Sequence, residues 1–158
     1  MRVCNTLMEN ILKKITLNSV ENNIPYSIME KKTKSGNSYW VINSPEEDFE
    51  HSFIGNQLTD YEWHVNEIYL DNSKNIIDLI ANGLIIVKAW KYQMENRWAN
   101  TPFDICLSVD YGDAEIAANI TLRFWSVRNG YHYIMPQKNE LEKFNENAIL
   151  IESVNYIN

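Results

Sequence analysis

Three histidines, two cysteines and several clustered carboxylates are the residues that could do chemistry in this chain. A bound metal needs three or four donors converging on one point, and spacings such as HxH, HxxxH or HExxH announce that arrangement. His51, His64 and His132 show none of these spacings, so surface or half-buried imidazoles are the plainer reading and no metal is expected. A cysteine nucleophile needs an activating base beside it. Cys106 lies in an alternating stretch, on the parity opposite its apolar residues, which predicts an accessible thiol; nothing around it or Cys4 resembles a nucleophile turn. Asp104, Asp110, Asp113 and Glu115 cluster near one connection and could pair as a glycosidase's acid and base. The run from Asp110 to Glu115 (DYGDAE) reads more simply as an acidic turn between strands. Five scattered glycines build neither GxGxxG nor GxxxxGKS, so no nucleotide cofactor is expected.

Charge is the stronger signal. Between Ser44 and Asp78 nine carboxylates face one base, Lys74, a net of −8; the remaining twelve acids and thirteen bases give +1. One segment therefore carries the whole charge of −7. Such a segment repels nucleic acid and attracts basic protein. Large aromatic side chains are interleaved with the acids: Phe49, Phe53, Tyr61, Trp63 and Tyr69. In a protein interface carboxylates speed encounter and rings supply buried contact. Glu46, Glu47, Asp48, Glu50, Asp60, Glu62, Trp63 and Glu67 are accordingly the expected partner contacts. Arg123, Trp125, Arg128, Tyr131 and Tyr133 superficially resemble a base-stacking platform, but aromatic pairs on one hairpin explain them more simply.

The 158 residues suit one domain, and 45% apolar with 22% charged residues is ordinary for a soluble globular protein. Two cysteines so far apart read as free thiols in a reducing cytoplasm. The start has no secretory h-region, and no apolar run approaches the roughly 20 residues of a membrane span. The first seven or so residues are expected to be disordered, with Met8 an alternative start.

Periodicity predicts the elements that position these groups. Residues 6–17 read as a helix, with Thr6 and Glu9 spaced as a capping box. Residues 24–33 and 38–43 form a hairpin around KSGN, and Ser44-Pro45 could open a short helix. Residues 62–70 read as a strand and 73–81 as a helix stopped by Asn82-Gly83. Residues 84–92 favour strand because Ile85, Ile86 and Val87 are β-branched. Strict alternation over 103–110 and 116–125 means strands with one buried face. Asn129-Gly130 turns the chain into a strand at 131–135, followed by a helix at 138–144 and a strand at 148–156. The expected fold is α+β: a single domain with an antiparallel sheet packed by two or three helices.

In general character the chain resembles the immunity proteins of bacterial toxin systems, of the contact-dependent growth inhibition kind. The resemblance is carried by EWHVNEIYLDNSKNIIDLIANGLI and by FDICLSVDYGDAEIAANITLRFWSVRNGYHYI, within a small, acidic chain rich in Asn, Lys and Ile. It implies a cytoplasmic protein, not an enzyme, that binds and blocks a cognate basic toxin domain, often an RNase. No direct nucleic acid, membrane or small-molecule substrate is implied. An adaptor or self-associating domain, and a small hydrolase with a dispersed carboxylate and histidine site, remain alternatives.

Overall fold

The alternating stretches of the C-terminal half become the middle of a five-stranded antiparallel sheet. The computed structural model describes residues 1–16, 26–42, 53–71 and 75–156. Its sheet runs β1 (Arg2–Cys4), β7 (Ala148–Val154), β5 (Phe103–Asp110), β6 (Asn119–Ser126), β4 (Glu67–Asp71). A separate hairpin pairs β2 (Ile28–Lys32) with β3 (Ser38–Ile42). With α1 (Thr6–Leu12), α2 (Asn56–Val65), α3 (Ile76–Arg97) and α4 (Lys138–Leu141), the protein is α+β, as the patterning predicts. The possible helix at Ser44-Pro45 and the end of the first predicted helix, at Leu17, lie outside the described residues.

One face of the sheet is covered by α3, which brings Leu84, Val87, Trp90 and Met94 onto Ile105, Leu107, Ile120, Leu122 and Phe124. Their spacing follows the 3.6-residue period, and burial along that stripe outweighs the strand preference of the β-branched run. The expected short helix and following strand are thus one 22-residue helix, and Asn82-Gly83 does not stop it. Gly83 lies against the sheet: a Cβ there would lie 2.8 Å from Ile120 Cδ1 and from Leu107 Cδ1, so the ends of those two side chains would have to shift to admit it. Helical glycine costs roughly 0.5–1 kcal/mol against alanine; burying one large apolar side chain contributes about 1.5–3 kcal/mol. Close approach of α3 to the sheet secures several such burials.

The other face carries Cys106, Trp125, Ile149 and Ile151, covered by Val127, Ile134 and Leu141. Trp125 and Cys106 are therefore interior, contrary to their polar-side parity. Every residue of β7 is buried, as befits a strand covered on both faces.

Several boundaries differ from expectation. Residues 2–4 pair with β7 rather than being disordered, and Met8 is fully buried. Asn5 caps α1 in place of Thr6: Asn5 Oδ1 accepts from Met8 N at 3.1 Å, while Thr6 donates to Glu142. Residues 62–65 belong to helix α2, and strand β4 starts only after Asn66. Residues 116–118 precede β6, and α4 is a single turn. Asn129 (φ 52°) and Gly130 (φ 72°) make the expected tight turn, closed by a bridge from Arg128 to Tyr131, but no strand follows. The side chains of Tyr131, His132 and Tyr133 go instead to Asp60, Asp104 and Trp63.

Helix α2 is wedged between the hairpin and the sheet. Glu62 Oε1 accepts from Trp40 N in β3 at 3.1 Å, and Oε2 from Ser126 N in β6 at 2.7 Å. Four residues on, Asn66 donates to Trp40 O at 2.8 Å and Phe124 O at 3.3 Å and accepts from Ile42 N at 3.0 Å. Two side chains on one helical face thus replace the backbone ladder that β3 and β6 do not make, satisfying groups that would be costly to bury unpaired.

Candidate protein interface

Helix α2, strand β4 and the turn after β6 gather the described candidates. Asp60 and Trp63, on α2, and Glu67, which opens β4, are each partly covered, and Trp63 packs edge-on against Trp125 of the second core cluster. Asp60 Oδ1 accepts from Tyr131 OH at 2.8 Å; this bond, then burial, pushes the Tyr131 phenol above its ordinary pKa. Trp63 stacks on Tyr133, with ring centroids 4.2 Å apart and planes 13° apart. The Arg123 guanidinium lies 4.3 Å from the centre of the Trp63 ring. Arg123 also pairs with Glu67 and donates to the Trp63 carbonyl at 3.1 Å. Burial lowers the Arg123 pKa, though a guanidinium remains charged at any ordinary pH. Tyr133 is half exposed beside this group. Stacked rings backed by an arginine form a rigid amphipathic surface of the kind protein interfaces use as anchors.

Glu62 does not belong to that surface. It is completely buried, with the Arg128 guanidinium at 2.7 and 3.1 Å and Ser126 Oγ at 2.8 Å. Arg128 also donates from Nη1 to Thr59 Oγ1 and from Nη2 to the Ser38 carbonyl. A carboxylate so enclosed is a structural cross-link, and its inclusion among partner contacts is corrected here. Glu67 is mostly covered and already neutralised by Arg123. Asp78 at the head of α3 shares hydrogen bonds with Asn75. Glu46, Glu47, Asp48, Glu50 and His51 lie outside the described residues. The platform residues do not share one open face: Trp125 is fully buried and Arg128 is tied to Glu62, while Tyr131 is bonded to Asp60 and Tyr133 stays exposed.

A second polar cluster escaped the sequence. Asp104 is fully buried; His132 Nδ1 lies 2.6 Å from its Oδ2, and Ser153 Oγ and Tyr156 OH donate to Oδ1 at 2.7 and 3.2 Å. Burial, then the Asp104 charge, raises the Tyr156 phenol far above its usual range. The hydroxyl of Ser153 is bonded to the carboxylate rather than to the imidazole. That order fastens His132 to the sheet but gives the serine no base to activate it. Asp110 and Asp113 are occupied by turn amides: Asp110 accepts from Gly112 N, Asp113 from Glu115 N and Ile116 N, which lowers the Asp113 pKa. Burial raises the Cys106 thiol pKa strongly, against its expected accessibility.

Among the described residues no group of three or more His, Cys, Asp or Glu side chains could hold a metal ion, and no helix is long and apolar enough to cross a membrane. No family model, curated protein or solved structure matches this chain.

Proposed function

We propose that this chain is an immunity protein: a cytoplasmic binding protein, not an enzyme, that neutralises a cognate toxin nuclease, an RNase whose phosphate-binding cleft is rich in lysine and arginine. The observation that carries the proposal is the net charge of −8 between Ser44 and Asp78, against +1 for all the rest of the chain. The Asp60, Trp63, Tyr131 and Tyr133 surface supports it, since it sets rigid rings beside a carboxylate within that segment. Carboxylates steer a basic partner and the rings are the contacts that hold it. Such a plug occupies or overhangs the cleft, excludes RNA and needs no chemistry of its own.

The test is to look for a toxin gene directly upstream, co-express the RNase domain it encodes with this chain, and assay RNA cleavage with the two purified proteins; a neighbourhood with no such gene would also count against the proposal. The expected results are restored growth and loss of cleavage at a one-to-one ratio. Reversing Glu46, Glu47 and Asp48 to lysine should slow association at least tenfold at low salt. Unchanged toxicity and unchanged cleavage at excess protein would refute the proposal.

A further inference from the structure

The chain from His132 to Met135 crosses the molecule without a backbone ladder. Just before it, Val127 N donates to Pro102 O at 2.8 Å and Tyr131 N to Arg128 O at 2.8 Å. Among the described residues, the main-chain N–H groups of His132, Tyr133, Ile134 and Met135 donate no hydrogen bond within the protein. Side chains therefore set the place of this stretch. Tyr131 is bonded to Asp60 and Tyr133 stacks on Trp63, both on α2, and Ile134 packs on the cluster of Cys106 and Trp125. Tyr133 is 40% exposed. The polar tether that runs into the interior is His132, whose side chain is 11% exposed and whose partner, Asp104 on β5, is fully buried.

The contacts of that tether fix which ring nitrogen carries the hydrogen. Nδ1 lies 2.6 Å from Asp104 Oδ2 and 3.1 Å from Tyr156 OH. Tyr156 gives its hydroxyl hydrogen to Asp104 Oδ1, as Ser153 does. Neither neighbour has a hydrogen to offer Nδ1, so Nδ1 is the donor in the neutral ring as in the charged one. The Tyr156 ring lies nearly parallel to the imidazole, with planes 12° apart. A bond to a carboxylate held away from water is shorter and stronger than one between neutral groups at a surface. His132 is thus the firmest polar anchor of the stretch, and its two sequence neighbours are the tyrosines that reach α2.

We infer that His132 is the positioning residue of the partner surface: fixed through Nδ1 to Asp104, it holds Tyr131 and Tyr133 against α2 in the pose that the partner meets. This rests on the Asp60, Trp63 and Tyr133 surface being the contact for the toxin domain. The imidazole acts through the two tyrosines rather than on the partner.

Two amide substitutions separate the ring nitrogens. His132→Asn puts its side-chain amide where Nδ1 lies, and His132→Gln puts it where Nε2 lies. NMR of the full chain reads the Trp63–Tyr133 stack through the ring-current shifts of the Tyr133 protons. The parent and His132→Asn should keep these shifts; His132→Gln should lose at least half of them, with amide exchange across β5 and β6 unchanged. Long-range proton–nitrogen spectra of the parent should place the hydrogen of the neutral ring on Nδ1. Equal shifts in the two variants, or a neutral ring protonated at Nε2, would overturn the inference. Partner binding is read separately, with the RNase domain co-expressed above. His132→Gln should weaken it at least tenfold, Tyr133→Ala likewise, and the two together no more than Tyr133→Ala alone. Additive losses, or full RNase binding by His132→Gln after its stack is lost, would overturn the link from His132 to the partner. If the parent blocks no RNase, the toxin assignment is wrong, and the NMR shifts alone decide whether His132 positions the tyrosines.

Discussion

Arg128 holds the Glu62 carboxylate with both arms of its guanidinium, Nη2 at 2.7 Å from Oε1 and Nη1 at 3.1 Å from Oε2. The same carboxylate bonds the main chain of β3 and of β6. One ion pair therefore joins the hairpin, α2 and the sheet.

Removing one partner of a buried pair strands the other without compensation, at a cost of about 3–5 kcal/mol. Arg128→Met should destabilise the fold by that order in urea titration, and Glu62→Gln by at least 2 kcal/mol, about the upper range for a single buried charged hydrogen bond. A double-mutant cycle should show strong coupling. Losses under 1 kcal/mol for both variants would mean that the pair is not the cross-link described.

Gly83 predicts a steric ranking. Alanine gains helix propensity but meets Ile120 and Leu107, so Gly83→Ala should change stability little. Gly83→Val adds two methyls to a filled space and should cost about 1–3 kcal/mol by overpacking. Thermal melts of the two variants decide it; a valine variant as stable as the parent would show that α3 can lift from the sheet freely.

Acid sensitivity should trace in part to Glu152. Burial alone would raise its pKa, but bonds from Lys91 Nζ at 2.8 Å and Arg2 Nε at 2.7 Å outweigh that and hold it below the ordinary value of 4.5. A carboxylate depressed in the folded state stabilises above its unfolded pKa, and loses that contribution as pH falls through the folded value. The advantage of the parent over Glu152→Gln should be full at pH 7 and shrink below about pH 4.5. Denaturant midpoints across pH 3–7 measure it, and a constant gap would contradict the assignment.

Thiol chemistry gives a direct probe of the covered sheet face. Cys106 is buried with its pKa raised, and Cys4 is half-buried with its pKa also raised by burial. A thiolate-seeking reagent should leave Cys106 unmodified in the native protein and modify both cysteines in denaturant, with Cys4 slow in the native state. Native labelling of Cys106 at the rate of a free peptide would show that the 127–147 segment opens readily.

Sequence patterning located what depends on neighbours a few positions away. Phe103–Asp110 was legible because alternate apolar residues need only a buried face beneath them. The helix through Leu84 and Val87 was not, since its β-branched residues prefer strands locally and a glycine interrupts the run. What decides the case is the shape of Leu107 and Ile120 opposite. Glu62 was misplaced for a related reason: a carboxylate looks the same in sequence whether solvated or buried, and the arginine that buries it is 66 positions away. A hint was present in Thr59, Glu62 and Asn66, polar residues at one helical spacing that all prove buried. Tyr133, the face-on partner of Trp63, was named in sequence but assigned to a strand that does not form.

The position of β7 shapes how the molecule comes into being. It is the last strand in chain order, yet it sits inside the sheet, between β1 and β5. Arg2 and its pairing partner Glu152 are 150 positions apart. At a synthesis rate of about 5–20 residues per second, β1 waits on the order of ten seconds for a neighbour. Until then the apolar flank of β5 is uncovered, and the nascent chain depends on rapid closure, or on a chaperone, to escape clumping with its siblings.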